Sequence, residues 1–345
     1  MGKTSLLHRL EATADHHDVR AVYVSVADRN REVDFIVKLY EAIAKLDGKA
    51  ARAALRRVGR SLPRLRKLEI AKLISAEFTS DNADDWQHLA DALLRVLRET
   101  EHRWIFMVDE LPLFVLALLE RNRERTRRFL NWFRDVRIDR EIGLSVRWLL
   151  AGSTGLDTVV ARERLGDTIN DLAVESLGPF TQQNADLLLA ELAKAHGMEL
   201  CPQVREHILR RIDWLIPYHL QLLFAALRDE DIQAPSIHDA DRAYQGLLHP
   251  ARKAYFDYWV QRLHEELGRV DAGHALAVLA AVARDDDGSS RTVLTQLLHS
   301  RGLEDAERHR FLLDALETDG YLVSGERYVF SSPLLRDYWR ARVLT

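Results

Sequence analysis

Cys201 is the only cysteine of the chain, so an intramolecular disulfide is impossible and a cysteine-rich metal centre is excluded. Long apolar runs are missing too. The longest, 113–119 and 276–283, fall far short of the about 18 residues that a bilayer span requires. No charged-then-apolar pattern opens the sequence, so no signal peptide is expected, and the expected compartment is the cytoplasm. The histidines, His16-His17 included, lack ligand spacing with neighbouring acids, which argues against a metal centre built on imidazole. An excess of one charge is also absent. With 49 Lys and Arg against 53 Asp and Glu, the formal net charge of −4 gives no global attraction to nucleic acid or an anionic membrane. Neither internal repeats nor a Pro/Gly/Ser linker mark domain joins.

What remains is a chain of 345 residues, 47% hydrophobic and 30% charged, which is the composition of a globular protein of two or three domains. Its most specific feature is also incomplete. Gly2-Lys3-Thr4, followed by Leu6, Leu7 and Leu10 at helical spacing, is the back half of a phosphate-binding P-loop. The full pattern, G-x-x-x-x-G-K-[ST] after a buried strand, would be entered here at its last variable position.

Apolar periodicity orders the rest. A helix is expected over 3–14, a strand over 20–26, and helices over 33–46 and 84–100. Ile105 to Val108 reads as a buried parallel strand running into Asp109 and Glu110. A charged helix over 120–137 follows, then a strand over 146–151 ending in Gly152-Ser153, and a short fourth strand over 173–177. This alternation implies a parallel α/β sheet with helices on both faces. From Thr181 strand signals stop, and helices are expected over 182–196, 202–213, 217–229, 237–248, 252–267 and 273–283. Short helices over 292–298 and 306–318, a hairpin around Ser324 to Arg327 and a closing helix over 333–342 have the order of a winged helix-turn-helix.

The chemistry sits at the strand ends, where open α/β sheets bind ligands. In a P-loop site Lys3 would reach the β- and γ-phosphates of ATP and the Thr4 hydroxyl would ligate Mg²⁺. Asp109 would hold the same Mg²⁺ directly or through water. Glu110 is placed to activate the attacking water as general base, and Ser153 could contact the γ-phosphate. Each fragment is common alone; their joint order is not.

In that order the chain resembles the AAA+/STAND-type P-loop ATPases of the prokaryotic "archaeal ATPase" group, relatives of the origin-recognition ATPases. Gly2, Lys3, Thr4 and Ser5 match the end of its Walker A motif, Ile105 to Glu110 its Walker B motif, and Ala151-Gly152-Ser153 its sensor-1 strand. Leu177-Gly178-Pro179-Phe180 looks like the entry to its lid, and the stretch from Ile216 to Gln221, with Pro217, like its sensor-2 region. Leu215 stands where that pattern has Gly. Phe330 to Trp339 resembles its winged-helix ending.

The resemblance implies a P-loop NTPase α/β domain at 1–179, a helical lid at 180–268 and a winged-helix domain at 269–345. It implies ATP and Mg²⁺ as cofactors, with Gly2, Lys3, Thr4, Ser5 and Pro217 at the nucleotide, and hydrolysis driving a conformational switch. It also implies a Walker A loop beginning about five residues, and a first strand about ten residues, before Met1. That strand, missing from the sheet, would lie between the sensor-1 strand and the fourth, and its loss would weaken ATP binding.

The alternative is a degenerate P-loop scaffold that binds DNA or a protein partner through its winged helix without catalysis; a P-loop kinase is a weaker third option. Lys49 to Lys72 carries nine basic residues against Glu69 alone. It reads as a solvated helical face, because no aromatics interleave to stack bases. Arg162 and Arg164 could serve as arginine fingers or as a surface pair beside Glu163. The acids of 305–319 argue against a strong major-groove reader. Tryptophans 132, 148, 214 and 259 are expected as core anchors.

Overall fold

The computed structural model describes residues 2–14, 19–46, 85–98, 102–153, 155–252 and 254–342. The chain divides into two compact units, Lys3–Val174 and Glu175–Thr345, with Gly2 grouped with the second. The basic segment 49–72 lies outside the described residues.

The first unit is a parallel sheet in the order β1 (Val19–Ser25), β2 (Arg103–Asp109), β3 (Val146–Leu150). Its register sets Tyr23 beside Met107 and Ser25 beside Asp109. Successive side chains of β2 leave on opposite faces, as the pleat requires. Met107 packs with Leu7, Ala14 and Ala21 under α1 (Lys3–Ala14). Trp104, Phe106 and Val108 enter a larger core on the other face. That core is covered by α2 (Glu32–Leu46), α3 (Asp85–Arg98), α4 (Leu111–Arg121) and α5 (Arg123–Ile138). Phe35 is its centre, within 5.7 Å (ring centroids) of Phe114, Phe129 and Phe133. Arg125 closes the rim with a two-pronged ion pair to the buried Glu32, at 3.1 and 3.0 Å. The short α6 (Ile142–Ser145) precedes β3, and α7 (Leu156–Arg162) follows it.

The expected fourth strand does not form. Residues 173–177 have no regular structure, and Val174 is 84% exposed. The physical reason is a missing partner: among the described residues no strand lies alongside to take its backbone N–H and C=O groups.

The second unit is helical apart from one hairpin. It contains α8 (Gln182–Ala195), α9 (Pro202–Ile212), α10 (Pro217–Arg228), α11 (Ile237–Leu247) and α12 (Ala254–Ala283). The two helices expected over 252–267 and 273–283 are the halves of α12, broken at Gly268 (φ 74°, ψ 170°). Then come α13 (Arg291–Ser300), α14 (Ala306–Thr318), the antiparallel pair β4 (Leu322–Val323) and β5 (Val329–Phe330), and α15 (Pro333–Arg342). One apolar core runs through all of them, with Trp259, Tyr321 and Trp339 fully buried. Trp214 is part-buried against that core, and Trp132 and Trp148 pack on the first unit's core, so all four anchoring expectations are met. Arg262 spans the core's polar interior, donating to Glu266 at 2.6 Å and to Asp319 at 2.8 Å. Burial raises the Glu266 carboxyl well above the ordinary carboxylate range, and its hydrogen bond with Asp319 adds to the rise. Among the described residues no helix is long and apolar enough to cross a membrane.

Candidate functional site

Helix α1 begins where the P-loop reading requires a helix N-terminus. Gly2 enters it at φ 87°, a left-handed conformation open to glycine at little cost. No acidic residue occupies the first turn, so the positive end of the helix dipole is left uncompensated for an anion. Ser5 lies exposed on that turn.

The next two side chains reach across the sheet ends. The Lys3 ammonium donates to the Gly152 carbonyl at 2.5 Å, just past β3. The Thr4 hydroxyl donates to Asp109 Oδ2 at 2.7 Å, at the end of β2. Asp109 is buried, and its Oδ1 accepts the Glu110 N–H at 3.1 Å. Backbone bonds pin this corner: Val26 N–H to Asp109 O, Ala151 N–H to Val108 O and Leu111 N–H to Ala151 O, all between 2.8 and 3.1 Å.

Glu110 caps α4 in the left-handed region, at φ 60° and ψ 32°. Its carboxylate is turned to Ser153: one oxygen accepts both the Ser153 N–H, at 2.9 Å, and the Ser153 hydroxyl, at 2.7 Å. Ser153 therefore acts here as a double donor to the expected general base. Five of the expected residues, Lys3, Thr4, Asp109, Glu110 and Ser153, are thus joined by direct contacts or shared backbone around one strand-end corner. Pro217 belongs to the other compact unit, where it opens α10 at its first helical position. Arg162 pairs with Glu163 at 3.1 Å, while Arg164 is exposed at φ 55°.

Sequence reasoning missed Tyr23. Its hydroxyl donates to the same Asp109 oxygen that Thr4 uses, at 3.0 Å. Burial and then this hydrogen bond push the phenol up to about 12. The register supplies what the sequence lacked: Tyr23 stands two residues before Ser25, the partner of Asp109, and so shares its face of the sheet.

No protein-family model matches the chain, and no curated protein matches it by sequence. Solved structures do. A Walker-type ATPase of Pyrococcus abyssi aligns with a TM-score of 0.57 at 14% identity, over 98% of this chain and 88% of that one. The ORC2 protein of Aeropyrum pernix, solved as ADPNP–ADP complexes, aligns with a TM-score of 0.50 at 13% identity, over 100% of this chain and 86% of that one. At such identities the likeness establishes architecture alone. The chain has an α/β P-loop NTPase fold of the kind seen in these two proteins.

Proposed function

We propose that the protein binds ATP with Mg²⁺ at the strand-end corner, hydrolyses it, and uses the nucleotide as a conformational switch. The observation that carries this reading is the Thr4–Asp109 contact, a hydroxyl and a buried carboxylate brought to 2.7 Å from 105 positions apart. Two hard oxygen ligands at a helix N-terminus suit Mg²⁺, which takes few protein ligands and keeps several waters. The donor set therefore fits the cation, and the uncompensated start of α1 fits the phosphates.

The roles follow from the side chains. The backbone N–H groups of 2–5 and the Lys3 ammonium would hold the phosphates, and Thr4 and Asp109 the cation. Mg²⁺, when bound, supplies charge neutralisation on the phosphoryl oxygens. Glu110 is the general base for water, and the two Ser153 donors orient its carboxylate. The two aligned structures support this reading, one being a Walker-type ATPase and the other solved as ADPNP–ADP complexes. We further propose a helical lid at 180–268, which includes Pro217, a winged helix at 269–345, and a cytoplasmic location. The proposed partner of the winged helix is DNA or a protein; α14 turns Glu307, Asp314 and Glu317 outward beside Arg310, which argues against a strong major-groove reader.

Calorimetric titration with ATP, with and without Mg²⁺, tests the proposal. Wild-type protein binds in a Mg²⁺-dependent manner, Lys3→Ala weakens binding at least about tenfold, and Glu110→Gln keeps binding while hydrolysis falls about 10²-fold or more. Absence of Mg²⁺-dependent binding by the wild-type protein would overturn it.

A further inference from the structure

Tyr23 is tied to the strand-end corner from three sides. Its ring lies against the His8 ring of α1, with centroids 4.3 Å apart. Its backbone N–H donates to the Glu11 carboxylate, also on α1, at 3.3 Å. Its hydroxyl donates to Asp109 Oδ2. The helix that presents Lys3 and Thr4 therefore also fixes the tyrosine that reaches the carboxylate beside them. Asp109 Oδ2 takes two hydroxyl donors, Thr4 and Tyr23, and Oδ1 takes one backbone N–H.

These donors differ in what they are free to do. Thr4 is the residue whose oxygen would ligate a cation through a lone pair, so its O–H must turn with the metal's coordination. The Tyr23 bond makes no such demand: its ring rests against His8 and its hydroxyl is not one of the oxygens assigned to the cation. We infer that Tyr23 is a positioning residue for the cation, its hydroxyl holding the Asp109 carboxylate in one orientation while the Thr4 oxygen ligates the metal. The inference rests on the proposed ATP and Mg²⁺ reading and adds to it a residue that acts through Asp109. Hydrogen bonds to ligating carboxylates commonly govern metal affinity by 10–100-fold.

The test is a Mg²⁺ titration of the full chain at fixed concentration of a fluorescent ATP analogue, on wild type, Tyr23→Phe, Asp109→Asn and the double variant. Tyr23→Phe raises the half-saturating Mg²⁺ concentration about tenfold or more. Its nucleotide affinity without Mg²⁺ stays within about twofold, and adding Tyr23→Phe to Asp109→Asn produces no further shift. An unchanged Mg²⁺ midpoint in Tyr23→Phe, or an additive shift in the double variant, overturns the inference while leaving the nucleotide reading intact. So does a parallel loss of metal-free binding, which would make Tyr23 a structural prop of α1. A wild-type chain without Mg²⁺-dependent binding overturns both.

Discussion

His219 is a single residue with a sharp thermodynamic consequence. It is fully buried on α10, its Nδ1 3.3 Å from the hydroxyl of Ser332, and it clusters with the rings of Trp214 and Trp259. Burial drives its imidazolium form out, lowering its pKa to about 3. The unfolded chain, with an ordinary histidine near 6.5, takes up a proton that the folded chain refuses. Its contribution is thus fully present above about pH 6.5 and declines as pH falls through that value, by about 2 kcal/mol at pH 5. Urea unfolding at pH 7.5 and pH 5 checks this: His219→Gln should lose about that share of the acid sensitivity, and an unchanged difference between the two pH values would refute it. At this scale the sequence was uneven. Lys3, Thr4, Asp109, Glu110 and Ser153 were legible because each sits at an element boundary that apolar periodicity marks. Tyr23 was not, since an aromatic residue in a strand reads as core until the register reveals what lies beside its hydroxyl.

Among the elements, α12 is the one whose shape depends on a single backbone choice. Gly268 sits at φ 74° and ψ 170°, a region that is essentially glycine-only. The break separates Arg262 and Glu266 on one half from Asp271 on the other, and Asp271 pairs with Arg308 of α14. Gly268→Ala should therefore cost about 1–3 kcal/mol, read as a lower midpoint in thermal unfolding. A variant as stable as wild type would show that the break is not required. Element boundaries explain where sequence reading held and where it failed. Strands β1 and β2 announce themselves by apolar runs that bury regardless of context. The stretch 173–177 carries only Ala173, Val174 and Leu177 as apolar residues. A run that short becomes a strand only if a neighbour accepts its hydrogen bonds, and periodicity cannot report a neighbour. The long α12 was expected as two helices, over 252–267 and 273–283, and the structure breaks it between them at Gly268.

Across the whole molecule, each compact unit carries its own apolar core, aromatic in the first and leucine-rich in the second. The change of unit falls at Val174–Glu175, within exposed backbone that has no helix or strand. Such backbone is where proteases act first. Brief digestion with a glutamyl endopeptidase at Glu175, or with chymotrypsin at Leu177, should leave a resistant helical fragment beginning near Gly178. Mass spectrometry of the early products checks this, and protection of both bonds would contradict it. The division also clarifies what the change of apolar period near residue 181 could convey. It marked the end of the sheet, but the single core shared by α8 to α15 depends on contacts that no local pattern encodes.

Glu110 has a consequence for anyone who would improve this protein. A non-glycine residue in the left-handed region costs roughly 1–2 kcal/mol, and Glu110 bears that cost at the start of α4. A selection for heat resistance alone would therefore favour Glu110→Gly, relieving the strain and deleting the carboxylate in one step. On the proposed reading of Glu110 as general base, durability and chemistry compete for that position.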